Sequence, residues 1–400
     1  MRLDPASSAV AAWALAGSVV LGTPATATAD CECWHYVRAE GATANTTFKE
    51  VSAPSFGSAL AAGNRGGEPL LAQWNGVRWR ETTAVPLPAG TVMEGVSASS
   101  TRDAWAVGYT PDGTPQSARW SGADGEGRWT AVPVHAPDPS YPRAVDARSA
   151  DDAWIVGGAG RPVRRAMAWH WDGSAWRPVR VPAVPGIAPG VSSELVAVSA
   201  LAADDVWAVG VSESAGGDVG STRSLVVHWD GRTWSGEVPM PGGEGVAGES
   251  ADSGSVLSDV AALGPDDVWV VGTAWGTGLP LARHWNGRRW RDVPVPGVRG
   301  RLSSVASDGR GGIWTAGETS TGTALLAHWN GERWDVSGAP TPGDPSPGEG
   351  PTGARGAGAV WGLAQAPGTS YLWAVGAYAR PGPDEPVRHL LTWTNAPRHR

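Results

Sequence analysis

The chain has 400 residues, a formal net charge of −8, and 41% hydrophobic against 18% charged residues. This composition is typical of a folded globular protein and argues against a disordered one. An acidic chain without a basic tract also argues against nucleic acid as a partner, because nothing in it would neutralise a phosphate backbone. The length predicts either several domains or one repeat fold. Tryptophan is the unusual residue, with 24 copies against 2 Phe and 5 Tyr.

The N-terminus has the order of a secretory signal peptide. Arg2 supplies a positive start, residues 9–22 are apolar and mostly small, and a small-x-small cleavage site precedes Asp30. We therefore predict that residues 1–29 are a signal peptide and that residues 30–400 form one secreted domain. No later segment reaches about 18 uninterrupted apolar residues, so no membrane span is expected.

The two cysteines, Cys31 and Cys33, directly follow the predicted cleavage site. A lipid anchor would need a small residue before the first cysteine, where Asp30 stands. A disulfide between residues i and i+2 is strained, and without paired histidines the two thiols do not make a zinc site. We expect an exposed pair with no catalytic role, and bonding to a partner chain stays open. No cofactor is expected, while a structural metal also stays open.

The rest of the chain repeats seven times. The pattern Asp-x-Trp-x-x-Gly occurs at Asp103–Gly108, Asp152–Gly157, Asp205–Gly210 and Asp267–Gly272, with divergent copies at Ser58–Gly63, Gly312–Gly317 and Tyr371–Gly376. A Val-Ser-Ala-like element precedes each copy, and Trp-Asn/Asp-Gly-x-x-Trp or a variant of it follows. Asn-Gly or Asp-Gly between two Trp-bearing runs predicts a hairpin whose turn has two positive φ angles, with both tryptophans on one face.

Each repeat therefore contains four short strands, here called a (Val-Ser-Ala), b (Asp-x-Trp), c (the first hairpin Trp) and d (the second). Four strands in about 40–50 residues are typical of a β-propeller blade. We predict an all-β, seven-bladed β-propeller with four antiparallel strands per blade. The blades are expected at about 48–88, 92–134, 142–182, 194–239, 256–294, 301–337 and 357–395. The last blade lacks strand d, and residues 33–37 are predicted to complete it. Trp34 precedes Val51-Ser-Ala by 17 residues, the same spacing that separates Trp79 from Val96-Ser-Ala in the next unit.

The long and variable segments fall on one face of the predicted ring. The d-to-a and b-to-c links of a propeller emerge on one face, here called the variable-loop face, and loops on a rigid scaffold often carry function. An exposed Trp such as Trp275 can stack on a sugar or anchor a protein partner. The candidate contact residues on b-to-c links are Trp275, Arg161, Arg164, Arg165, Glu213, Glu318, Tyr378 and Arg380, with Asp218 and Arg223 as further members. Those on d-to-a links are Tyr141, Arg143 and His135, with Asp138, Glu249, Asp252, Arg299 and Arg301 as further members.

Four histidines recur directly before the strand-c Trp: His170, His228, His284 and His328. Recurrence at one repeat position indicates blade architecture, so we predict that three of them bond the aspartate that opens strand b, which is Asp152, Asp205 or Asp267. His135 and His389 lie outside this pattern, and with Glu318 or Glu249 they would form an acid–base or metal site only if the fold brought them together. Nucleophile-elbow, zinc-protease, phosphate-loop and dinucleotide motifs are absent.

The repeat resembles that of secreted, Trp-rich β-propeller repeat proteins of actinobacteria, over about residues 33–395. It is more loosely similar to tectonin-type lectin propellers. Kelch and galactose-oxidase propellers are similar in architecture, but their paired-glycine signature is missing. These resemblances imply the fold and no mechanism.

We expect a secreted, monomeric binding module that recognises a glycan, a cell-wall polymer or an exported protein through the variable-loop face. The alternative is a secreted lyase or hydrolase with its active site at the mouth of the central channel. A third reading is a purely structural envelope protein.

Overall fold

A computed structural model describes residues 34–37, 39, 45–82, 84–122, 127–136, 139–182, 191–213, 222–235, 255–274, 277–339, 357–380 and 387–396. The predicted fold is confirmed: these residues form seven antiparallel sheets arranged as a seven-bladed propeller. Strands a to d lie in order across six of the sheets, and strands a to c do so in the remaining one. The predicted signal peptide, both cysteines, Trp275 and the longest links of the variable-loop face lie outside these ranges.

The strands of the first three blades follow the repeat closely. Blade 1 contains β2 (Thr46–Ser55), β3 (Ser58–Arg65), β4 (Glu68–Trp74) and β5 (Trp79–Glu81). Blade 2 contains β6 (Val92–Ser100), β7 (Asp103–Tyr109), β8 (Pro115–Ser121) and β9 (Arg128–Ala131). Blade 3 contains β10 (Ser140–Ser149), β11 (Asp152–Ala159), β12 (Arg165–Trp171) and β13 (Trp176–Val179).

The other four blades have the same plan with one exception. Blade 4 contains β14 (Ser192–Ala202), β15 (Asp205–Glu213) and β16 (Arg223–Trp229), and a single Trp229–Trp234 bridge stands where strand d would pair. Blade 5 contains β17 (Ser255–Gly264), β18 (Asp267–Ala274), β19 (Leu279–Trp285) and β20 (Trp290–Asp292). Blade 6 contains β21 (Gly300–Ser307), β22 (Ile313–Thr319), β23 (Ala324–Trp329) and β24 (Trp334–Gly338). Blade 7 contains β25 (Ala357–Gln365), β26 (Leu372–Arg380), β27 (Val387–Thr394) and β1 (His35–Tyr36).

The predicted N-terminal closure is confirmed. His35 pairs with Thr394 and Tyr36 with Trp393, so β1 is the outermost strand of blade 7. The Trp34 ring packs edge-on against Trp314 of blade 6, with 5.4 Å between ring centroids. The two ends of the chain thus complete one blade, which removes an open edge from the ring.

The repeat tryptophans fill the spaces between blades. The strand-b Trp of one blade packs against the two hairpin tryptophans of the next, as Trp154 does with Trp229 and Trp234 at 5.1 and 5.3 Å between centroids. Each of the seven buried apolar clusters in the described part of the chain joins two neighbouring blades. Blade 1, which has Leu60 in place of the strand-b Trp, still sends this side chain into the cluster shared with blade 2. Large flat side chains at one repeat position therefore pack between neighbouring blades and stabilise the ring.

The predicted histidine contacts are confirmed. The Nε2 atoms of His170, His228 and His284 lie 3.0, 2.9 and 2.9 Å from the carboxylates of Asp152, Asp205 and Asp267. In blade 6 the partner of His328 is Asp308, at 2.8 Å. All four imidazoles also lie against the strand-b indole of their own blade, with centroids 4.4–4.7 Å apart. These histidines stabilise the blades and are not available as a shared catalytic group.

The turn between strands c and d differs from the prediction. Trp74 and Trp79 pair directly, which leaves a four-residue loop in which Gly76 has positive φ and Asn75 does not. The Asn75 side-chain oxygen accepts hydrogen bonds from the backbone N–H groups of Val77 and Arg78. Asp172, Asp230, Asn286 and Asn330 do the same in other blades. The side-chain cap replaces the second positive φ angle that a two-residue turn would need.

The serine of Val-Ser-Ala joins neighbouring blades. The hydroxyl oxygens of Ser52, Ser97 and Ser199 each accept a backbone N–H from strand a of the next blade, at 3.0 Å. Asp146 takes this role between blades 3 and 4, where its carboxylate accepts the Ala200 N–H at 2.7 Å. Each of these contacts satisfies a backbone donor on an innermost strand.

Within the described residues, no helix has the length and apolar character needed to cross a membrane.

The links between strands a and b are short. In blades 1 to 5 they are two residues long.

Candidate functional site

The seven strands a lie innermost and line a central channel of about 1140 Å³. Each strand a starts at the variable-loop face and runs away from it, because the d-to-a link precedes it. Residues near the start of these strands therefore surround the end of the channel on that face, here called the channel mouth.

Every strand a carries a β-bulge at the same position near the mouth. The pairing of β6 with β7, for example, skips Glu94 between Met93 and Gly95, and the equivalent residue is skipped in the other six blades. A bulged residue is released from the ladder and its side chain is re-aimed. Here the seven bulged residues line the channel.

The glycine that ends Asp-x-Trp-x-x-Gly makes this bulge possible. A Cβ atom on Gly108 would lie 2.2 Å from the carbonyl oxygen of Val92 on strand a, and one on Gly210 would lie 2.0 Å from that of Glu194. The equivalent distance is 1.9–2.2 Å in all seven blades. The repeat glycine is therefore explained by close backbone approach at the bulge.

The bulged residues form what we call the mouth ring: Lys49, Glu94, Arg143, Val196, Ser258, Ser303 and Trp361. The repeat scaffold makes their positions equivalent, but their chemistry differs sharply around the ring. Blades 1 to 3 contribute three charged side chains. Blades 4 to 7 contribute one aliphatic side chain, two hydroxyls and one indole.

Ion pairs join the charged side of the ring across four blades. Glu94 accepts hydrogen bonds from Lys49 and, at 2.9 Å, from Arg143. Arg143 also reaches Glu194 of blade 4 at 3.2 Å, and Glu194 accepts from Arg164 at 2.8 Å. Burial disfavours the charged form of Arg143, but Glu94 and Glu194 outweigh it, so the pKa of Arg143 is raised.

Lys49 and Arg164 are the most exposed members of this network and Glu94 is the most buried. The side chain of Glu94 is 3% exposed, whereas that of Lys49 is 49% exposed and that of Arg164 is 35% exposed. Glu194 and Arg143 lie between these limits, at 18% and 21%. Each carboxylate is shared by two cations, so each is partly compensated.

Two tyrosines support the same cluster. The buried Tyr141 ring lies under the guanidinium of Arg164, with 4.3 Å from Cζ to the ring centroid, and its hydroxyl accepts a hydrogen bond from Arg161 at 2.5 Å. Tyr109 packs edge-on against Tyr141 at 5.2 Å and lies under Arg143. Burial, followed by the negative charge of Glu94, raises the pKa of Tyr109. The tyrosines hold the arginines in place from below.

Three carboxylates lie further along the channel wall, past the bulge. Burial raises the pKa of Glu50 and that of Asp146, and it raises the pKa of Asp259 to about 6. Asp146 and Asp259 use their oxygens to bond the next blade: Asp259 accepts from the Ser304 hydroxyl at 2.8 Å and the Val305 N–H at 2.9 Å. Glu50 differs, since its one described hydrogen bond is local, from the Val51 N–H at 2.9 Å. Nowhere in the described ranges do three or more His, Cys, Asp or Glu side chains form a group that could hold a metal ion.

The structure brings four of the sequence-predicted site residues together: Tyr141, Arg143, Arg161 and Arg164. Tyr141 and Arg143 lie within β10 and not on a d-to-a link as predicted, because strand a begins earlier than its motif indicates. Glu318 pairs with Arg301 at 2.9 Å on blade 6, away from this cluster.

The other predicted residues do not join the cluster. Arg165 and Glu213 are exposed at strand ends, in β12 and β15, and Tyr378 lies within β26, packed against the cluster between blades 6 and 7. His135 is exposed on the link before β10. Trp275 and the side chains of Arg380 and His389 lie outside the described part of the structure.

Four residues of the site were not predicted from the sequence: Lys49, Glu94, Glu194 and Trp361. For Lys49, Glu94 and Trp361 a signal exists, because the repeat can be aligned on Val-Ser-Ala, and the residue two positions before its Val (Leu363 in blade 7) is the bulged one. Glu194 has no such signal, because it lies two residues before the bulged Val196. Trp361 is also one of the few tryptophans outside the repeat positions. The sequence does not show that the bulged residue faces the channel. The bulge turns its side chain there.

No protein-family model matches the chain, and no curated protein matches it. Among solved structures, YCF48 bound to a D1 peptide is 14% identical with a TM-score of 0.54, covering 90% of this chain and 96% of that chain. YCF48 from Cyanidioschyzon merolae is 13% identical with a TM-score of 0.54, covering 90% and 98%. The polysaccharide lyase Uly1 is 12% identical with a TM-score of 0.54, covering 89% and 92%. At this level of identity the likeness shows that the chain shares the β-propeller fold with these proteins, and nothing more.

Proposed function

We propose that the protein is a binding module that takes a glycan at the channel mouth. The observation that carries the proposal is the mouth ring, which places the Trp361 indole and the hydroxyls of Ser258 and Ser303 around one opening. A flat aromatic ring next to directional polar groups is the combination that binds the apolar face and the hydroxyls of a sugar.

The size of the channel supports a ligand larger than a single sugar. Its volume of about 1140 Å³ lies above the roughly 300–1,000 Å³ of small-molecule pockets. An oligosaccharide segment, or the end of a cell-wall polymer, suits this volume better than a monosaccharide does.

The structural neighbours are compatible with both a glycan and a protein as the ligand. One carries a peptide and another is a polysaccharide lyase, so the same scaffold hosts both kinds of ligand. We favour the glycan over an exported protein because of the aromatic and hydroxyl side of the mouth ring. We further propose that the protein is secreted, on the strength of the signal-peptide pattern before Asp30.

The test is a binding screen against immobilised glycans and cell-wall polymers, run with and without EDTA. We expect saturable binding by the native protein, loss of binding in Trp361→Ala, and unchanged binding in Phe56→Ala. Phe56 is a matched control because it is a 42% exposed aromatic on an a-to-b turn, at the opposite face. Loss in Trp275→Ala with retention in Trp361→Ala would move the site to the outer loops and refute the channel mouth.

A second candidate function, a lyase or hydrolase, is favoured by Glu50. Its carboxyl lies in the channel wall with a raised pKa, caused first by burial and then by the charge of Asp259. A raised carboxyl pKa suits a general acid near neutral pH. Asp146 and Asp259 are less suited, since their hydrogen bonds hold neighbouring blades. Release of new chain ends from a bound polymer, abolished by Glu50→Gln with binding intact, would establish this activity, and the absence of any release would exclude it for that polymer.

A further inference from the structure

The mouth ring also carries information about the charge of its ligand. Lys49, Arg143 and Arg164 are joined through Glu94 and Glu194, and Arg161 joins them through Tyr141. Four cations and two carboxylates leave an excess of two positive charges at this place, on a chain whose formal net charge is −8. A positive cluster on a negatively charged protein attracts a negatively charged ligand, which the rest of the surface repels.

The two most exposed members of the network are cations, Lys49 and Arg164. Glu94 is buried, and each carboxylate is shared between two cations, so a group arriving from solvent meets the Lys49 ammonium and the Arg164 guanidinium first. Arginine and lysine in such an arrangement bind carboxylate or sulfate groups through charge-assisted hydrogen bonds.

The channel wall limits how deep a negative group can go. Three carboxyl groups, those of Glu50, Asp146 and Asp259, follow the bulge along strand a, and none of the three residues is a cation. Asp259, with a pKa of about 6, is mostly ionised at pH 7 and would repel an anion that passed the mouth ring. An acidic group is therefore favoured at the level of Lys49 and Arg143.

We propose that the ligand is an acidic polysaccharide, with its carboxylates on the Lys49–Arg143–Arg164 side of the mouth and a sugar ring against Trp361. This inference rests on the proposed glycan-binding function and adds the ligand's charge class to it. Blade 7, which carries Trp361, is the neighbour of blade 1, which carries Lys49. An indole beside cations matches the two chemistries of a uronic acid residue, an apolar ring face and a charged edge.

The experiment measures binding of an oligogalacturonate hexamer and of its fully methyl-esterified, neutral counterpart to the full protein by titration calorimetry. We expect the acidic hexamer to bind at least about tenfold more tightly than the neutral one, since only the acidic hexamer can accept charge-assisted hydrogen bonds from Lys49 and Arg164. Its affinity should also fall between 50 and 300 mM salt, because the contacts are partly exposed to solvent.

The matching variant is the double change Lys49→Gln and Arg164→Gln. Glu94 and Glu194 both keep Arg143 as a partner in this variant, so neither carboxylate is left unpaired. We expect at least about a tenfold loss for the acidic hexamer. The control Arg80→Gln with Arg291→Gln removes the same charge from exposed positions on outer strands and should leave binding unchanged. Circular dichroism of both variants checks that they are folded.

The outcomes separate this inference from the function on which it rests. Equal, Trp361-dependent binding of the neutral and acidic hexamers would refute the charge inference and leave glycan binding standing. Tighter, Lys49- and Arg164-dependent binding of hexaglutamate would show that the mouth takes an acidic peptide and would refute the polysaccharide. No binding of either hexamer or of hexaglutamate would refute the inference, and glycan binding itself then depends on the screen of neutral polymers.

Discussion

Asp259 offers a quantitative test of the channel wall. Burial raises its pKa from the ordinary 3.8 to about 6, against the opposing effect of hydrogen bonds from Val305, Ser304 and Val260. Between these two pH values the folded protein holds a proton that the unfolded chain has lost. Stability therefore falls as pH rises through this window, by about 1.4 kcal/mol per pH unit, or about 3 kcal/mol in total.

The perturbation is Asp259→Asn, which removes the titrating group and keeps its shape. The variant has its own stability cost, because an amide cannot accept both the Val260 and the Val305 N–H as the carboxylate does. The cost of the lost hydrogen bond does not depend on pH. The variant also removes the Asp259 charge that raises the pKa of Glu50, and this change favours the variant as pH rises, in the same direction. From pH 4 to pH 7 the unfolding free energy of the variant should therefore rise by about 3 kcal/mol relative to that of the native protein.

The assay is urea unfolding followed by tryptophan fluorescence at several pH values between 4 and 7.5. Asp172→Asn is the control, because the Ser174 hydroxyl and then Arg177 hold the pKa of this exposed turn carboxyl below its usual range. Its titration lies below pH 4, so its difference from native protein should stay flat across the window. A flat Asp259→Asn difference would refute the reasoning, since it would mean that the carboxyl is solvated and ionised throughout.

Three further changes test the fold. Deleting residues 34–37 should lower the melting temperature by roughly 5 °C or more, because the outer strand of blade 7 is lost; a truncated protein that melts at the native temperature would rule out the closure. His328→Ala should cost about 2 kcal/mol of stability by breaking its 2.8 Å contact with Asp308, and calorimetry showing no change would contradict that role. Gly376→Ala should destabilise the protein by about 2 kcal/mol or more, since its Cβ would lie 2.0 Å from a strand-a carbonyl oxygen. Gly57→Ala, with open space around it, is the matched control, and equal unfolding midpoints for the two glycine variants would show that the bulge tolerates a side chain.

The amino-acid sequence by itself determined the blades, their number, the closure by residues near Trp34, and the histidine–aspartate pairs. These features are periodic, so seven copies report the same local preference and an irregular copy such as Ser58–Gly63 can be recognised from the others. The turn between strands c and d was predicted wrongly because the Asn75 side chain, and not a second positive φ, satisfies its backbone.

The site itself could not be predicted from the sequence, because it depends on how the ring closes. Lys49, Glu94, Arg143 and Trp361 stand on four different blades, separated by up to about three quarters of the chain, and nothing periodic connects their side-chain types. The bulge turns each one into the channel, and closure of the ring places them around a single opening. The scaffold is predictable because every blade repeats the same packing of side chains. The binding site depends on the residues that differ from blade to blade. These residues come close together only because the ring closes.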